Sequence, residues 1–148
     1  MLITKETTSW RILVVDDEPD NLRLAGDLLE YLGAAVQRAK DGQQALEMAD
    51  SFKPNLILLD LAMPGLDGWE LQRRWRARPE FDLVPIVALT ALVMQPDVDK
   101  IHAQGFDAYV AKPFRITAMI DELKACIDRF TKRKVPGHST QTVQERTQ

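Results

Sequence analysis

N-L-I-L-L-D-L-A-M-P-G-L-D-G, residues 55–68, is the stretch whose reading decides the fold. Leu56, Ile57, Leu58 and Leu59 form an unbroken apolar run that leads into Asp60, and Pro64, Gly65 and Gly68 follow within a few positions. An apolar run of this length, bounded by turn formers, reads as a strand buried on both faces. Such strands belong to parallel sheets covered by helices, so the stretch predicts an α/β domain whose central strand stops on a carboxylate. In open α/β sheets, ligands bind beyond the carboxyl ends of the strands, which puts Asp60 where chemistry is expected. A strand-end aspartate can also be no more than a turn cap. The other strand ends have to decide.

Outward from this centre, Ile12, Leu13, Val14 and Val15 form a second apolar run, ending on Asp16-Asp17. Pro19 suits the first turn of a helix, and Leu22, Ala25, Leu29 and Leu32 recur at helical spacing until Gly33 closes the pattern. A short strand over 35–39 carries polar Gln37 and Arg38; Asp41-Gly42 then opens a helix with Ala45, Leu46 and Ala49 on one side, stopped by Pro54. A third helix is predicted over 67–77, with Leu71 and Trp75 four apart. Residues 84–90 are nearly all apolar and end on a hydroxyl, Thr90. The helix predicted over 96–104 has only Val98 and Ile101 as clear apolar anchors. A short strand over 108–111 ends on Lys112-Pro113, and a well-patterned last helix carries Ile116, Met119, Ile120, Leu123, Ile127 and Phe130.

Strands alternating with helices imply a doubly wound parallel sheet, here of five strands, with helices on both faces. Strands one, three and four are apolar throughout and belong in the middle; two and five are shorter or more polar and fit the edges. Order 2-1-3-4-5 satisfies this, with its switch point between strands one and three, the crevice where Asp16, Asp17 and Asp60 would meet.

The chain has 148 residues, 45% hydrophobic and 28% charged, enough for one domain with a sizeable core. A net charge of −3 gives no reason to expect nucleic acid or an anionic membrane as partner. No apolar stretch reaches membrane-span length and no secretory signal opens the chain. Cys126 is the only cysteine, so no internal disulfide forms; a buried structural thiol in a reducing cytoplasm is expected. Residues 1–10 read as a polar lead-in, 11–130 as the domain and 131–148 as a polar, disordered tail. Lys132, Arg133 and Lys134 suit the end of a helix dipole, and His102 and His138 read as surface residues.

The informative strand ends thus carry Asp16-Asp17, Asp60, Thr90 and Lys112. Unit charges ~4 Å apart repel by about 4 kcal/mol at an effective dielectric of about 20, so clustered carboxylates call for a cation. A hard divalent ion with oxygen ligands answers that, and Mg²⁺ suits a few carboxylates with water and a phosphate. Asp60 can then attack phosphorus as a nucleophile, with Thr90 and Lys112 holding the transferred oxygens. Singly, each residue has a plain reading: a helix cap, a common strand-end hydroxyl, a solvated lysine. Together, at the right ends of alternating strands, they point to phosphoryl chemistry.

V-V-D-D-E-P (14–19), L-L-D-L-A-M-P-G-L-D-G (58–68), A-L-T-A (88–91) and Y-V-A-K-P-F (109–114) together resemble the receiver domain of bacterial two-component response regulators, over about residues 11–130. The resemblance implies the flavodoxin-like (CheY-like) receiver fold. It implies Asp60 as phosphoacceptor for a histidine kinase or histidine phosphotransfer protein. It implies Mg²⁺ on Asp17, Asp60 and the backbone carbonyl of Ala62, with Asp16 assisting through water. Thr90 and Lys112 would bind the phosphoryl group and Tyr109 would follow Thr90 on activation, switching a surface of helix four, strand five and helix five. The Lys112-Pro113 bond would be cis. Such a domain is a signalling phosphoacceptor that catalyses its own phosphorylation and dephosphorylation, not a conventional enzyme. Dephosphorylation is expected to be slow, since Ala62 and Leu92 flank the water's approach and neither can orient it.

Rival readings are weaker. A haloacid-dehalogenase-type phosphatase needs a second acid two residues after the nucleophile, where Ala62 stands. A kinase or NTPase needs a phosphate-cradling G-x-x-x-x-G-K, which is missing. A docking module that has lost phosphorylation would not need Thr90 and Lys112. Eighteen residues after Phe130 are too few for an output domain, so a stand-alone receiver, or one cut from a longer protein, is expected.

Overall fold

Every residue of β3 (Leu56–Asp60) is buried, because this strand lies at the centre of a five-stranded parallel sheet of order β2-β1-β3-β4-β5. The computed structural model describes residues 2–91, 94–113 and 115–134. β1 (Arg11–Val15) leads to α1 (Pro19–Tyr31), β2 (Ala35–Ala39) to α2 (Gly42–Phe52), and β3 to α3 (Gly68–Arg76). β4 (Ile86–Thr90) leads to α4 (Gln95–Gln104) and β5 (Ala108–Ala111) to α5 (Ile116–Lys134). The doubly wound order read from strand composition is the observed one.

Register explains how the strands share two cores. Leu58 lies opposite Val14 on one side and Val87 on the other. Side chains alternate across a strand, so Ile12, Val14, Leu56, Leu58, Val87 and Leu89 face one way and meet α1 and α5. Leu13, Val15, Ile57, Leu59, Ile86 and Ala88 face the other and meet α2, α3 and α4. Cys126 is buried in the first core, where burial pushes its thiol up to about 12, as a structural thiol should be. Gly26, in mid-α1, leaves room for Arg38: a Cβ there would overlap the guanidinium, which pairs with Asp27 and Glu30 at 2.8 Å each.

Three boundaries differ from the sequence reading. Residues 2–10 are more than a polar lead-in: Ile3 and Trp10 are buried in the α1/α5 core, and Trp10 Nε1 donates to the Thr4 carbonyl at 2.8 Å. Two apolar residues seven apart in a polar segment carry no period to read. β4 starts at Ile86, not Val84, because Pro85 has no N–H and the Val84 carbonyl accepts from Arg76 at 2.9 Å. Residues 131–134, expected in the tail, continue α5, where Arg133 donates to Asp107 at 2.7 Å. The remainder of the expected tail, with His138, lies outside the described residues, as does Leu92.

α4 buries only Ile101 of the two anchors expected, Val98 being half-buried. It is tied down at its C-terminal end by amides. Gln104 Nε2 donates to the Trp69 carbonyl at 2.8 Å and to Gln72 Oε1 at 3.0 Å, and Gln72, 2% exposed, donates to the Gln104 carbonyl at 3.3 Å. A buried polar group deprived of its partner costs about 1–3 kcal/mol. Gln104→Leu is therefore expected to lower the unfolding free energy by that amount, read as a lower urea midpoint at an unchanged m-value; a variant as stable as wild type would show that the amides contribute nothing net.

Candidate functional site

Parallel strands end on one edge, so the strand-end residues of the sequence converge. Asp16 follows β1, and its Oδ1 accepts from the Glu18 amide at 2.9 Å. Asp60 ends β3 and its Oδ1 accepts from the Ala62 amide at 3.3 Å. Thr90 ends β4, and its carbonyl accepts from the amide of Lys112, just past β5, at 2.8 Å. Asp16, Asp60 and Thr90 are 1%, 5% and 3% exposed, whereas Asp17 is open to solvent. The peptide bond between Lys112 and Pro113 is cis, as expected.

The electrostatics are unbalanced. Asp16, Asp17 and Asp60 each bring a carboxylate oxygen into a group spanning no more than 4.8 Å. Lys112 Nζ faces them, 2.8 Å from Asp16 Oδ2 and 3.2 Å from Asp60 Oδ1. Burial, and then the charge of Asp16, push the Asp60 carboxyl up to about 7 despite the opposing pull of Lys112. Burial works against the Lys112 ammonium, but the close approach and charge of Asp16, with the charge of Asp60, outweigh it and raise its pKa. Asp16 Oδ2 is buried and makes an ion pair with Lys112 but no hydrogen bond. Three oxygen donors, one of them without a hydrogen bond, facing a single ammonium fit a hard divalent cation.

Tyr109, on β5, is half-buried against the core under α4, with its ring edge-on to His102 at a centroid distance of 6.4 Å. His102 is exposed, as expected, but its packing on Tyr109 crosses from one element to another and has no signature in the sequence. Gly42 and Gly68, which the sequence offers only as a helix start and a turn former, also lie in close contact with the loop after Asp60; the repeated Asp-Gly pairs at 41–42 and 67–68 were the available signal.

A 2-1-3-4-5 sheet with acids, a hydroxyl and a lysine gathered at its carboxyl edge defines the class of doubly wound, flavodoxin-like signalling domains. The family model for the response regulator receiver domain matches residues 12–124. Polar-differentiation response regulator DivK of Brucella anthropi is 32% identical over 114 residues, covering 77% of this chain and 93% of that protein. Among solved structures, chemotaxis protein CheY4 of Vibrio cholerae superposes with a TM-score of 0.74 at 26% identity, covering 79% of this chain and 98% of that one. A putative response regulator from Chloroflexus aurantiacus gives 0.73 at 29% identity, covering 80% and 98%. The chain belongs to the response regulator receiver domain family. Members are phosphoryl-accepting signalling domains of two-component systems rather than conventional enzymes, and the family binds Mg²⁺ at an acidic pocket. No helix among the described residues is long and apolar enough to cross a membrane.

Proposed function

We propose that this domain, working in the cytoplasm, takes a phosphoryl group from a histidine kinase or histidine phosphotransfer protein onto Asp60. The observation that supports this most is a buried aspartate at the end of the central strand, with Lys112 Nζ at 3.2 Å and two further acids beside it. Asp17, Asp60 and the carbonyl of Ala62 would hold Mg²⁺, with Asp16 acting through water. When bound, the ion supplies the positive charge that keeps Asp60 ionised near neutral pH and offsets the negative oxygens of the incoming group. An oxygen of Asp60 attacks phosphorus; the new O–P bond forms as the P–N bond to the donor imidazole breaks, the nitrogen keeping that electron pair, and the imidazole leaves neutral with the proton already on its other ring nitrogen. Lys112, already poised between Asp16 and Asp60, transfers its contact to a phosphoryl oxygen, and the Thr90 hydroxyl takes another. Incubation with Mg²⁺ and a small phosphodonor is expected to add one phosphoryl mass to the intact chain; no gain would defeat the proposal.

The signal would leave through Thr90 and Tyr109. Added charge and acceptor oxygens at Asp60 draw the Thr90 hydroxyl inward, and the Tyr109 ring turns into the space vacated. α4, with Ile101 as its only buried residue, is the element such a change can shift. A face of α4, β5 and α5 around Ile101, Tyr109 and Met119 then meets a downstream protein, with neither nucleic acid nor membrane touched directly. Amide NMR with beryllofluoride as phosphoryl mimic should move resonances across residues 95–120; changes confined to the neighbourhood of Asp60 would leave the switch without support.

A further inference from the structure

The loop of residues 61–67 leaves directly from Asp60 and carries Ala62, whose carbonyl the proposed metal site needs. Two buried glycines press on it. A Cβ on Gly68, the first residue of α3, would overlap the Asp60 carbonyl oxygen and stand 2.9 Å from Leu61 Cα and 3.0 Å from the Asp60 carbonyl carbon. All of these are main-chain atoms and cannot swing aside. A Cβ on Gly42, the first residue of α2, would lie 2.6 Å from the Leu66 carbonyl oxygen, 2.7 Å from Leu66 Cβ and 2.8 Å from its Cγ.

Conformational freedom does not explain these glycines, since the positive-φ glycines are Gly33, Gly65 and Gly105. Space does. Both helix starts are also pinned: Asp41 accepts from the Gln44 amide at 2.8 Å and Asp67 from the Glu70 amide at 3.0 Å. An added methyl would therefore displace the loop more readily than the helices. Gly65 is different, with φ +73° and open space around it; there the turn alone requires glycine.

We propose that Gly42 and Gly68 are positioning residues for the metal and phosphoryl site. They bring the bare main chain of two capped helix starts against the two ends of one loop, and so set where Asp60 and the Ala62 carbonyl stand relative to Asp16 and Asp17. The inference rests on the function proposed above, and extends it to α2, which carries none of the strand-end groups. Groups that orient metal ligands from behind typically cost 10–100-fold in affinity when altered.

Calorimetric titration of Mg²⁺ into the full chain tests this. Wild type should bind, and Asp17→Asn should lose most of that affinity. Gly68→Ala and Gly42→Ala should each weaken binding by about tenfold or more. Gly26→Ala, whose Cβ would have the flexible Arg38 side chain as its nearest neighbour, should bind like wild type even where it melts earlier. In the metal-free protein the Ala62 amide resonance, which reports the 3.3 Å bond to Asp60, should move in both loop-facing variants and not in Gly26→Ala. Should Gly68→Ala not fold, Leu66→Ala decides, since it adds no atom and removes the side chain that abuts Gly42; it should weaken Mg²⁺ about tenfold, at the mild end of such effects. Wild-type affinity in the folded Gly42 and Gly68 variants, or in Leu66→Ala, overturns the proposal and leaves the metal site standing. Absent binding by wild type, or undiminished binding by Asp17→Asn, overturns the metal site and the proposal with it.

Discussion

Asp60→Asn is expected to gain no phosphoryl mass under conditions where the wild-type chain gains one. The amide has the carboxylate's shape and can still accept the Ala62 N–H with its oxygen, so the fold should persist. What it loses is the anionic oxygen that, in the proposed function, attacks phosphorus. The loss should be complete on the time scale of the wild-type reaction, because the alternative acids are differently placed: Asp17 is exposed and Asp16 is engaged by Lys112 and the Glu18 amide. Intact-mass measurement followed by peptide mapping checks it. Phosphoryl mass that persists in the variant would assign the acceptor elsewhere.

The second large effect is on stability. Asp60 holds its proton up to about pH 7 in the folded, metal-free protein, first because it is buried and then because Asp16 is beside it. An unfolded aspartate gives up its proton near pH 4. The folded state therefore binds the extra proton between these values, and its stabilisation is full below about pH 4 and lost as pH rises through about 7. In chelator, the contribution of this pocket to the unfolding free energy should fall between about pH 4 and 7, by something on the order of 2 kcal/mol once solvent access to the pocket is allowed for, and the melting temperature should fall with it. Mg²⁺ at pH 8 should restore it, since a bound ion favours the ionised cluster. Asp60→Asn should flatten the profile and raise metal-free stability at pH 8, whereas Lys112→Ala should steepen it by removing the cation 2.8 Å from Asp16 and 3.2 Å from Asp60. Calorimetric melts across this pH range, with and without Mg²⁺, provide the measurement. Identical profiles for wild type and Asp60→Asn would show that Asp60 does not carry the effect.

Much of the molecule was legible in the chain because burial of a strand is written in that strand's own residues. Leu56–Leu59 could only be central, Gln37 and Arg38 could only suit an edge, and the 2-1-3-4-5 order followed. Parallel topology then sent Asp16, Asp60, Thr90 and Lys112 to one edge without any need to know their distances. The sparse apolar face of α4 likewise announced a thinly anchored helix, although of Val98 and Ile101 only the second is buried. Tertiary structure alone decided what depends on contacts between elements that share no period. Trp10 and Ile3 close a core that their own segment does not suggest. Arg133 extends α5 because Asp107, twenty-six residues earlier, accepts its guanidinium, and Gln104 meets Gln72 and Trp69 across two helices. The seating of Lys112 between two acids, and the abutment of Gly42 and Gly68 on one loop, are of the same kind. Composition and periodicity record what each segment must bury; which atoms then touch is settled only when the segments pack, because close packing is a property of the surfaces together.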